Sequence, residues 1–320
     1  MRRGKPPSIG EARSRLPRDF VSSLQATFPP HLADRIVRGM TAVRATTLRV
    51  NALCWDARSL IRFFHENAVK HSRALWYPDA FLLVNARERD AEGWPAYREG
   101  RIYLQSLSSM VPALILDPRP GEHVLDIAAA PGSKTTQICA LMANQGHILA
   151  NESNPIRAER LMYNVRLQGC GTVEVRVGRG EKLGEEMPCR FDRVLLDAPC
   201  SGEGRFIASH AQSYRAWSLK TVAECVRLQR KLFASAAQAL KPGGKLVYST
   251  CTLNREENEK MVDWALKNLP LAMEAIMLAI PGAVPGFTDG VDPSVSHALR
   301  IIPSREMEGF FVCRLQKTGP

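Results

Sequence analysis

The sequence lacks several features that would assign it to particular classes of protein. No apolar run is long enough to span a bilayer, because the most apolar stretch, residues 269–284, contains Glu274 and Pro281. The amino-terminal residues are basic but include no apolar segment before a cleavage site, which excludes a secretory signal peptide. Internal repeats and low-complexity segments are also missing. We therefore expect a soluble globular protein that is located in the cytoplasm and binds no membrane.

The cysteines show no pattern that indicates a structural role. The chain contains 8 of them, but no Cys-x-x-Cys pair and no spacing typical of metal ligands. We therefore expect free thiols in a reducing compartment and no bound metal. Cys200 and Cys251 differ from the other six, which we expect to be packing residues.

Acidic residues are fewer than basic ones. The chain has 43 Lys and Arg against 32 Asp and Glu, a formal net charge of +11. Residues 1–105 hold 18 of these basic and 10 of these acidic residues, so most of the excess lies in the first third. An uneven basic surface suits a polyanionic partner, most often nucleic acid. A solvated basic surface without a partner is the alternative.

The length of 320 residues suits a catalytic domain with an appended module. Apolar residues recur at helical spacing in the first part, so we predict an amino-terminal helical segment over residues 1–45. One helix and three or four strands follow, which predicts a small α+β module, similar to an RNA-recognition fold, over residues 46–105. Strands and helices then alternate, and we predict a second domain over residues 106–320. We expect the protein to be a monomer.

Five apolar strands separated by helices indicate an α/β fold in the second domain. We predict these strands at residues 123–129, 147–152, 172–178, 191–199 and 241–252, with a last strand over 309–315. Such alternation predicts a doubly wound, Rossmann-like and mostly parallel sheet. Ligands bind at the carboxyl ends of the strands in this architecture.

The turn after the first of these strands has the composition of a nucleoside-binding loop. It reads Ala128, Ala129, Ala130, Pro131, Gly132, Ser133 and Lys134. Small residues let the backbone approach a ligand, and the following helix offers unpaired N–H groups. Glu152 ends the next strand, where a carboxylate accepts from the hydroxyls of a ribose. These features alone do not distinguish a dehydrogenase from a methyltransferase, and a tight turn with a surface Glu is the plainer interpretation.

Two thiols narrow the choice. Cys200 follows the strand that ends at Asp197, and Cys251 ends the neighbouring strand, so both lie at the edge of the predicted ligand crevice. A redox pair is one explanation. A pyrimidine methyltransferase explains the surrounding residues better, because a thiolate that attacks C6 of cytosine makes C5 nucleophilic. Asp197 is the candidate acid for N3, and Lys134 or a helix N-terminus is the candidate group for ionising the thiol.

Three motifs resemble those of the NOL/NOP/Sun family of RNA cytosine-C5 methyltransferases. They are AAAPGSKT, LLDAPCSGEG and YSTCTLNREENE, and the resemblance extends from LRVNAL at residue 48 to EGFFVCRL at residue 308. Within the family the sequence is similar to the bacterial small-subunit ribosomal RNA enzymes of the F type. We expect it to lack their carboxyl-terminal RNA-binding extension.

The resemblance implies a role for each site residue. Cys251, in the TCT motif, is the implied nucleophile, and Cys200, in the PCS motif, assists release of the methylated product. DNA cytosine methyltransferases use a Pro-Cys thiol instead, which would make Cys200 the nucleophile. Residues 128–134 and Glu152 would hold S-adenosylmethionine, and Asp197 would contact both cofactor and cytosine. The implied partner is ribosomal or transfer RNA.

One departure from the family bears on the cofactor. Arg179 stands where the family carries an acid that accepts from the adenine amino group. Arg has no acceptor, so this contact is lost unless Glu181 replaces it. The departure leaves a second hypothesis open, an RNA-binding or ribosome-assembly factor with weak or lost cofactor binding.

The sequence also offers candidate RNA contacts. Basic residues are frequent over residues 2–18 and 35–49, and we expect Trp55, Trp76 and Tyr77 to be exposed for base stacking. Core packing is an equally good interpretation of Trp76. Residues 205–217 are a candidate flap over the target base.

Overall fold

The chain forms two sheets and a set of amino-terminal helices. A computed structural model describes residues 7–319, so residues 2–6 of the first basic segment lie outside the described residues. Twelve helices occur in the described part: α1 (Ile9–Arg15), α2 (Arg18–Thr27), α3 (Pro30–Thr41), α4 (Ala57–Glu66), α5 (Glu88–Glu92), α6 (Pro95–Arg98), α7 (Leu107–Leu116), α8 (Ser133–Leu141), α9 (Pro155–Leu167), α10 (Leu183–Glu186), α11 (Leu219–Ala239) and α12 (Glu259–Asn268).

The strands fall into a small sheet and a large one. They are β1 (Thr46–Val50), β2 (His71–Arg73), β3 (Ala80–Leu83), β4 (Ile102–Leu104), β5 (His123–Asp126), β6 (His147–Glu152), β7 (Val173–Val177), β8 (Phe191–Asp197), β9 (Leu240–Thr250), β10 (Leu271–Glu274), β11 (Ala283–Pro285), β12 (Leu299–Ile301) and β13 (Phe310–Lys317). Among residues 7–319, no helix combines the length and the apolar character that crossing a membrane would require.

The first predicted helical segment is three helices, not one continuous helix. Pro17 precedes α2, and Pro29 precedes α3, which has Pro30 in its first turn. Proline lacks a backbone N–H and disfavours the helical conformation in the residue before it, so each proline ends the helix before it and begins the next one. The apolar faces of the three helices pack together with Phe206 and Leu253 in one hydrophobic cluster.

The small sheet has the strand order β2-β3-β1-β4, and every neighbouring pair is antiparallel. With α4 between β1 and β2, and α5 and α6 between β3 and β4, the connection is βαββαβ, as in ferredoxin-like folds. The predicted α+β topology is therefore present, although the sequence analysis missed the short helices α5 and α6. Whether residues 46–105 form a separate domain stays a prediction.

The large sheet has the order β11-β12-β13-β9-β8-β5-β6-β7, with β10 paired to β13. Strands β5 to β9 are parallel, as predicted, but β10 to β13 pair antiparallel. The sheet is therefore mixed rather than mostly parallel. No helix lies in the short connection from β12 to β13, and a parallel pair would need a longer crossover. The α/β, Rossmann-like class is confirmed.

A fully buried ion pair joins the carboxyl-terminal strands to α12. Both side chains of Arg300, in β12, and Glu259, at the start of α12, are 0% exposed, and Arg300 also donates to the Leu253 carbonyl oxygen at 2.9 Å. The Arg300 guanidinium lies 5.1 Å from the Phe28 ring centroid and 5.2 Å from that of Phe287. This pair therefore also fixes the contact between α2 and the large sheet.

We expect Glu259→Gln to lower the free energy of unfolding by about 3–5 kcal/mol, because the variant leaves Arg300 buried without a compensating charge. Urea denaturation followed by circular dichroism measures this difference. The matched control is Glu256→Gln, which removes an ion pair with Lys260 whose side chains are 54% and 51% exposed. The control should lose at most about 1 kcal/mol, and equal losses in the two variants would contradict the prediction.

Candidate active site

A cavity lies where the strand order of the large sheet reverses direction. Strand β5 has β6 on one side and β8 on the other, and the carboxyl ends of β5, β8 and β9 meet at the same edge. Crevices at such positions are the usual ligand sites of open α/β sheets. The cavity measures about 770 Å³, within the range of small-molecule sites.

Most of the predicted site residues line this cavity. They are Ala128, Ala130, Pro131, Ser133, Lys134, Asp197, Cys200 and Cys251. The other predicted residues (Ala129, Gly132, Glu152 and Arg179) do not line it. We call residues 128–134 the glycine-rich loop, after Gly132. The structure thus brings this loop and both thiols to one site, as the sequence predicts.

Gly132 shapes the loop from behind the cavity wall. Its φ is +101°, in the left-handed region, and a Cβ at this position would lie 2.9 Å from Cδ1 of Leu161 in α9. Glycine therefore allows both the turn and the close packing of α8 against α9. Ala129 is also buried, 6% exposed, so the cavity is faced by its neighbours Ala128 and Ala130.

Lys134 and Asp197 form an ion pair inside the cavity. Nζ of Lys134 lies 2.7 Å from Oδ2 of Asp197 and donates to Oγ of Ser109 at 2.8 Å. The other carboxylate oxygen of Asp197 accepts from Oγ of Ser249 at 2.7 Å. The structure therefore does not support Lys134 as the group that ionises a thiol, because its charge is compensated by Asp197.

Glu152 lies at the carboxyl end of β6 and is 3% exposed. One carboxylate oxygen accepts from the backbone N–H of Asn154 at 2.9 Å, and the other lies 3.2 Å from Nη1 of Arg157. Arg157 also donates to the Ala130 carbonyl oxygen at 2.8 Å and lines the cavity. Arg157, which the sequence analysis missed, thus connects Glu152 to the glycine-rich loop.

Arg179 lies at the surface after β7. Its side chain is 65% exposed and pairs with Glu181 at 3.1 Å, and Glu181 is 17% exposed. Burial is the largest single influence on the pKa of the Glu181 carboxyl and raises it. Hydrogen bonds and the charge of Arg179 together outweigh burial, so the pKa is lowered. Glu181, the acid that could replace the missing acceptor, is therefore ion-paired with Arg179.

The two thiols lie close together in the lining of the cavity. Sγ of Cys200 lies 3.3 Å from Sγ of Cys251. The hydrogen bond with Cys251, followed by burial, raises the pKa of the Cys200 thiol well above its ordinary value. Cys200 therefore remains protonated, and either sulfur can be the donor in the hydrogen bond between the two thiols.

Two buried carboxyl groups accept hydrogen bonds from residues that lie near Cys200 and Cys251. Glu257 accepts from the backbone N–H of Ser201 at 2.9 Å and from Nε2 of Gln229 at 3.0 Å, and that amide also donates to the Pro199 carbonyl oxygen at 2.9 Å. Burial raises the pKa of Glu257. The acidic residues of the REENE motif could have indicated this role, but their partners are more than 20 residues away in sequence.

The second carboxyl group belongs to Glu203, which is 2% exposed. It accepts from Nδ2 of Asn254 at 3.0 Å and from Nε1 of Trp217 at 3.1 Å. Burial raises the pKa of Glu203 to about 7. The carboxyl group thus connects the residues after Cys200 to those after Cys251.

The small sheet and the carboxyl-terminal part supply the rest of the cavity wall. Lining residues to which the sequence analysis assigned no role include Thr47, Tyr103, Gln105, Glu308 and Phe310. Their separation in sequence hides their proximity. The site is therefore built by both sheets together.

Two of the residues predicted to contact RNA, Arg49 and Tyr77, are buried. Arg49 is fully buried and donates to Oε1 of Gln105 at 2.9 Å and to Oγ1 of Thr136 at 2.6 Å. Tyr77 is 6% exposed, and Trp55 and Trp76 pack against hydrophobic clusters. These aromatic residues stabilise the module because their large apolar surfaces gain more from burial than from exposure.

The predicted flap is anchored. Phe206 and Ala208 are buried against the amino-terminal helices, and the backbone N–H of Ala208 donates to the Met40 carbonyl oxygen at 2.9 Å. Of residues 205–217, Arg205 is the one that lines the cavity. In the part of the chain that the structure describes, no group of three His, Cys, Asp or Glu side chains is placed to hold a metal ion.

Comparisons with known proteins agree with this architecture. A sequence model described as 16S rRNA methyltransferase RsmB/F matches residues 113–316. Ribosomal RNA small subunit methyltransferase F from Cronobacter sakazakii is 38% identical over 316 residues, which cover 95% of this chain and 64% of that protein. The chain therefore spans less than two thirds of the length of this relative.

Two solved structures share the fold over nearly the whole chain. A methyltransferase homolog protein from Pyrococcus horikoshii has a TM-score of 0.84 and 30% identity, covering 97% of this chain and 99% of that chain. NSun6 from Pyrococcus horikoshii with SFG has a TM-score of 0.83 and 22% identity, covering 96% of this chain and 100% of that chain. These matches confirm the family resemblance that the motifs predict.

The raised pKa of Glu203 predicts a pH-dependent stability. Glu203 holds its proton in the folded protein up to a pH of about 7 but loses it near its ordinary value of 4.5 when unfolded. Its contribution is fully present below pH 4.5 and is lost as the pH rises towards 7. We expect the wild type to lose up to about 3 kcal/mol of unfolding free energy relative to Glu203→Gln over this interval.

Urea denaturation of both proteins at several pH values between 4.5 and 8 measures this difference. The control is Glu66→Gln, at an exposed position of α4, which should follow the wild type at every pH. A constant difference between the wild type and Glu203→Gln would show that Glu203 does not titrate in this interval.

Proposed function

Because the chain belongs to the 16S rRNA methyltransferase RsmB/F family, we propose that it transfers a methyl group from S-adenosylmethionine to C5 of a cytosine in RNA. The observation that carries the proposal is the pair of thiols, 3.3 Å apart, in a cavity that also holds the glycine-rich loop. A cytosine methyltransferase needs a nucleophilic thiol beside its cofactor site, and this arrangement offers one.

The reaction begins with the thiolate of Cys251, which attacks C6 of the cytosine. The new S–C6 bond moves the electron pair of the C5–C6 double bond towards N3, so that C5 becomes nucleophilic. Asp197 lines the cavity and would serve as the acid for N3, a role that requires its carboxyl group to leave the ion pair with Lys134 and carry a proton. After C5 has accepted the methyl group, a base removes the C5 proton and the S–C6 bond breaks to release Cys251 as a thiolate.

The raised pKa of the Cys200 thiol supports these roles. The hydrogen bond with Cys251, followed by burial, raises this pKa, and we therefore assign Cys200 the role of the protonated thiol and Cys251 that of the nucleophile. In the last step the S–H group of Cys200 stabilises the departing thiolate of Cys251 by donating to it. A DNA cytosine methyltransferase, with Cys200 as nucleophile, would need the opposite protonation.

The glycine-rich loop fits the cofactor. S-Adenosylmethionine supplies an electrophilic methyl group on a sulfonium ion when it is bound. Ser133 and Lys134, at the start of α8, and Asp197 line the cavity and would hold its methionine end. Glu152, at the carboxyl end of β6, would accept from the ribose hydroxyls if the ion pair with Arg157 rearranges.

The substrate that we propose is small-subunit ribosomal RNA, after the name of the Cronobacter relative. The net positive charge of residues 1–105 suits RNA phosphates, and the small sheet supplies one wall of the cavity. The target cytosine must leave its stack to reach Cys251, since this thiol lines the cavity. We further propose that the protein acts as a cytoplasmic monomer.

Incubation with methyl-labelled S-adenosylmethionine and unmethylated ribosomal subunits or transfer RNA tests the proposal. We expect label in the ribosomal RNA, recovered as 5-methylcytidine. Cys251→Ala should abolish both transfer and covalent adduct, since it removes the nucleophile. Cys200→Ala should form the adduct but release it slowly, which gives a protein–RNA band that survives a denaturing gel.

The matched control is Cys54→Ala, which removes an exposed thiol of the small module and should leave transfer unchanged. Full activity of Cys251→Ala together with an inactive Cys200→Ala would reverse the two roles. Label in duplex DNA but not in either RNA would contradict the proposed substrate.

The second candidate is an RNA-binding or ribosome-assembly factor that no longer binds the cofactor. The Arg179–Glu181 ion pair is the observation that favours it, because Arg179 has no acceptor and engages one carboxylate oxygen of Glu181. Calorimetry with S-adenosylmethionine separates the two candidates. Micromolar binding supports the enzyme, and absent or millimolar binding supports the assembly factor.

We expect Arg179→Asp to tighten S-adenosylmethionine binding about tenfold, because the new carboxylate accepts from the adenine amino group. Arg190→Asp is the matched control, since it makes the same charge change at an exposed position before the amino end of β8. Glu181→Gln indicates whether Glu181 already supplies the acceptor, in which case binding weakens. Equal affinities of Arg179→Asp and the control would contradict an adenine contact at this position.

A further inference from the structure

Four basic side chains line the cavity in the part of the chain that the structure describes: Arg44, Lys134, Arg157 and Arg205. The charge of Lys134 is compensated by Asp197 at 2.7 Å, and Arg157 pairs with Glu152 at 3.2 Å. Arg44 donates to carbonyl oxygens, at 3.3 Å for Ser304 and at 3.1 Å for Gly204. Three of the four cations are therefore committed to protein acceptors.

Arg205 differs from the other three. Within residues 7–319, neither a carbonyl nor a carboxylate oxygen accepts a hydrogen bond from its guanidinium, and its side chain lines the cavity together with Cys251. The negative charge of Cys251 is the largest influence on the pKa of Arg205 and raises it, with smaller contributions from Glu308 and Cys200.

The backbone holds Arg205 beside the thiol. The N–H of Gly204 donates to the Cys251 carbonyl oxygen at 2.9 Å, and the Gly204 carbonyl oxygen accepts from the N–H of Gly309 at 2.9 Å. A Cβ on Gly204 would lie 2.0 Å from the Gly309 carbonyl oxygen, so only glycine allows this approach. The turn that carries Arg205 is thus fixed between Cys251 and the strand β13.

Other charged groups surround Cys251 on every side. The cavity also contains Arg44, Lys134, Asp197 and Glu308, and the sulfur of Cys200 lies 3.3 Å from that of Cys251. The buried Glu203 and Glu257 accept hydrogen bonds from residues that follow the two cysteines, and the pKa of Cys225 is raised by burial and to a lesser extent by the charge of Cys251. Carboxylates close to a thiol oppose its ionisation. A cation without a carboxylate partner is needed to offset them.

We propose that the guanidinium of Arg205 is the positive charge that stabilises the thiolate of Cys251. The ionisation that it favours releases the proton of the Cys251 thiol to water. Arg205 replaces Lys134 and the helix N-terminus, which the sequence suggested for this role. The inference deepens the proposed function because it concerns its nucleophile, but it can be tested without cofactor or RNA.

Alkylation by iodoacetamide reports the ionisation directly, because the thiolate displaces iodide and the thiol does not. Trypsin cuts after Lys245 and Arg255 and releases Cys251 in a peptide without another cysteine, so mass spectrometry follows this thiol alone. We expect Arg205→Met to move the midpoint of the pH dependence up by about one unit and to slow alkylation at pH 7 roughly tenfold. Arg205→Lys should keep most of the wild-type rate.

The matched control is Arg215→Met, at an exposed position of the same segment, which should leave the profile unchanged. Circular dichroism establishes that each variant is folded, and if Arg205→Met is not, Arg205→Gln takes its place. An unchanged midpoint overturns the inference. If the midpoint is unchanged but RNA binding is weakened, Arg205 holds an RNA phosphate instead. A shifted midpoint in a protein without methyl transfer would refute the proposed function and keep the inference.

Discussion

The parallel register between β8 and β9 is the constraint on which the site depends. Asp197 pairs with Ser249 across the two strands, and the hydroxyl of Ser249 donates to the carboxylate of Asp197 at 2.7 Å. Both strands end at the same edge, so the loop after Asp197 and the first residue after Thr250 carry Cys200 and Cys251 to within 3.3 Å. A shift of this register by one residue would point Asp197 to the opposite face of the sheet.

Buried polar groups maintain this geometry after the strands end. Glu257 and Glu203 accept from backbone and side-chain donors on both cysteine loops, and each is almost completely buried. Partnered donors compensate for the burial of these groups, whereas an unpartnered carboxyl group would be costly. The site is thus held by a connected hydrogen-bond network that includes residues outside the cavity.

The small sheet is attached to the large one by an unusual buried cation. Arg49 of β1 has no carboxylate partner within the described residues, and burial lowers the pKa of its guanidinium. It donates to Gln105 and Thr136, and lies 5.1 Å from the ring centroid of Tyr103. Since Tyr103 and Gln105 line the cavity, the residue that joins the sheets also positions one of the cavity walls.

Local patterns in the sequence determined the parallel strands β5 to β9, the last strand β13, the glycine-rich loop and the proximity of Cys200 to Cys251, but not the short strands β10, β11 and β12. These features depend on neighbours in sequence or on the general rule that parallel strands end at one edge. The tertiary structure decided which charges reach the thiols, because Lys134 meets Asp197 while Arg205 meets Cys251. It also decided that Arg49 and Tyr77 are buried and that β10 to β13 pair antiparallel. Composition cannot show these outcomes, because burial and charge pairing depend on contacts between residues that are far apart in the chain.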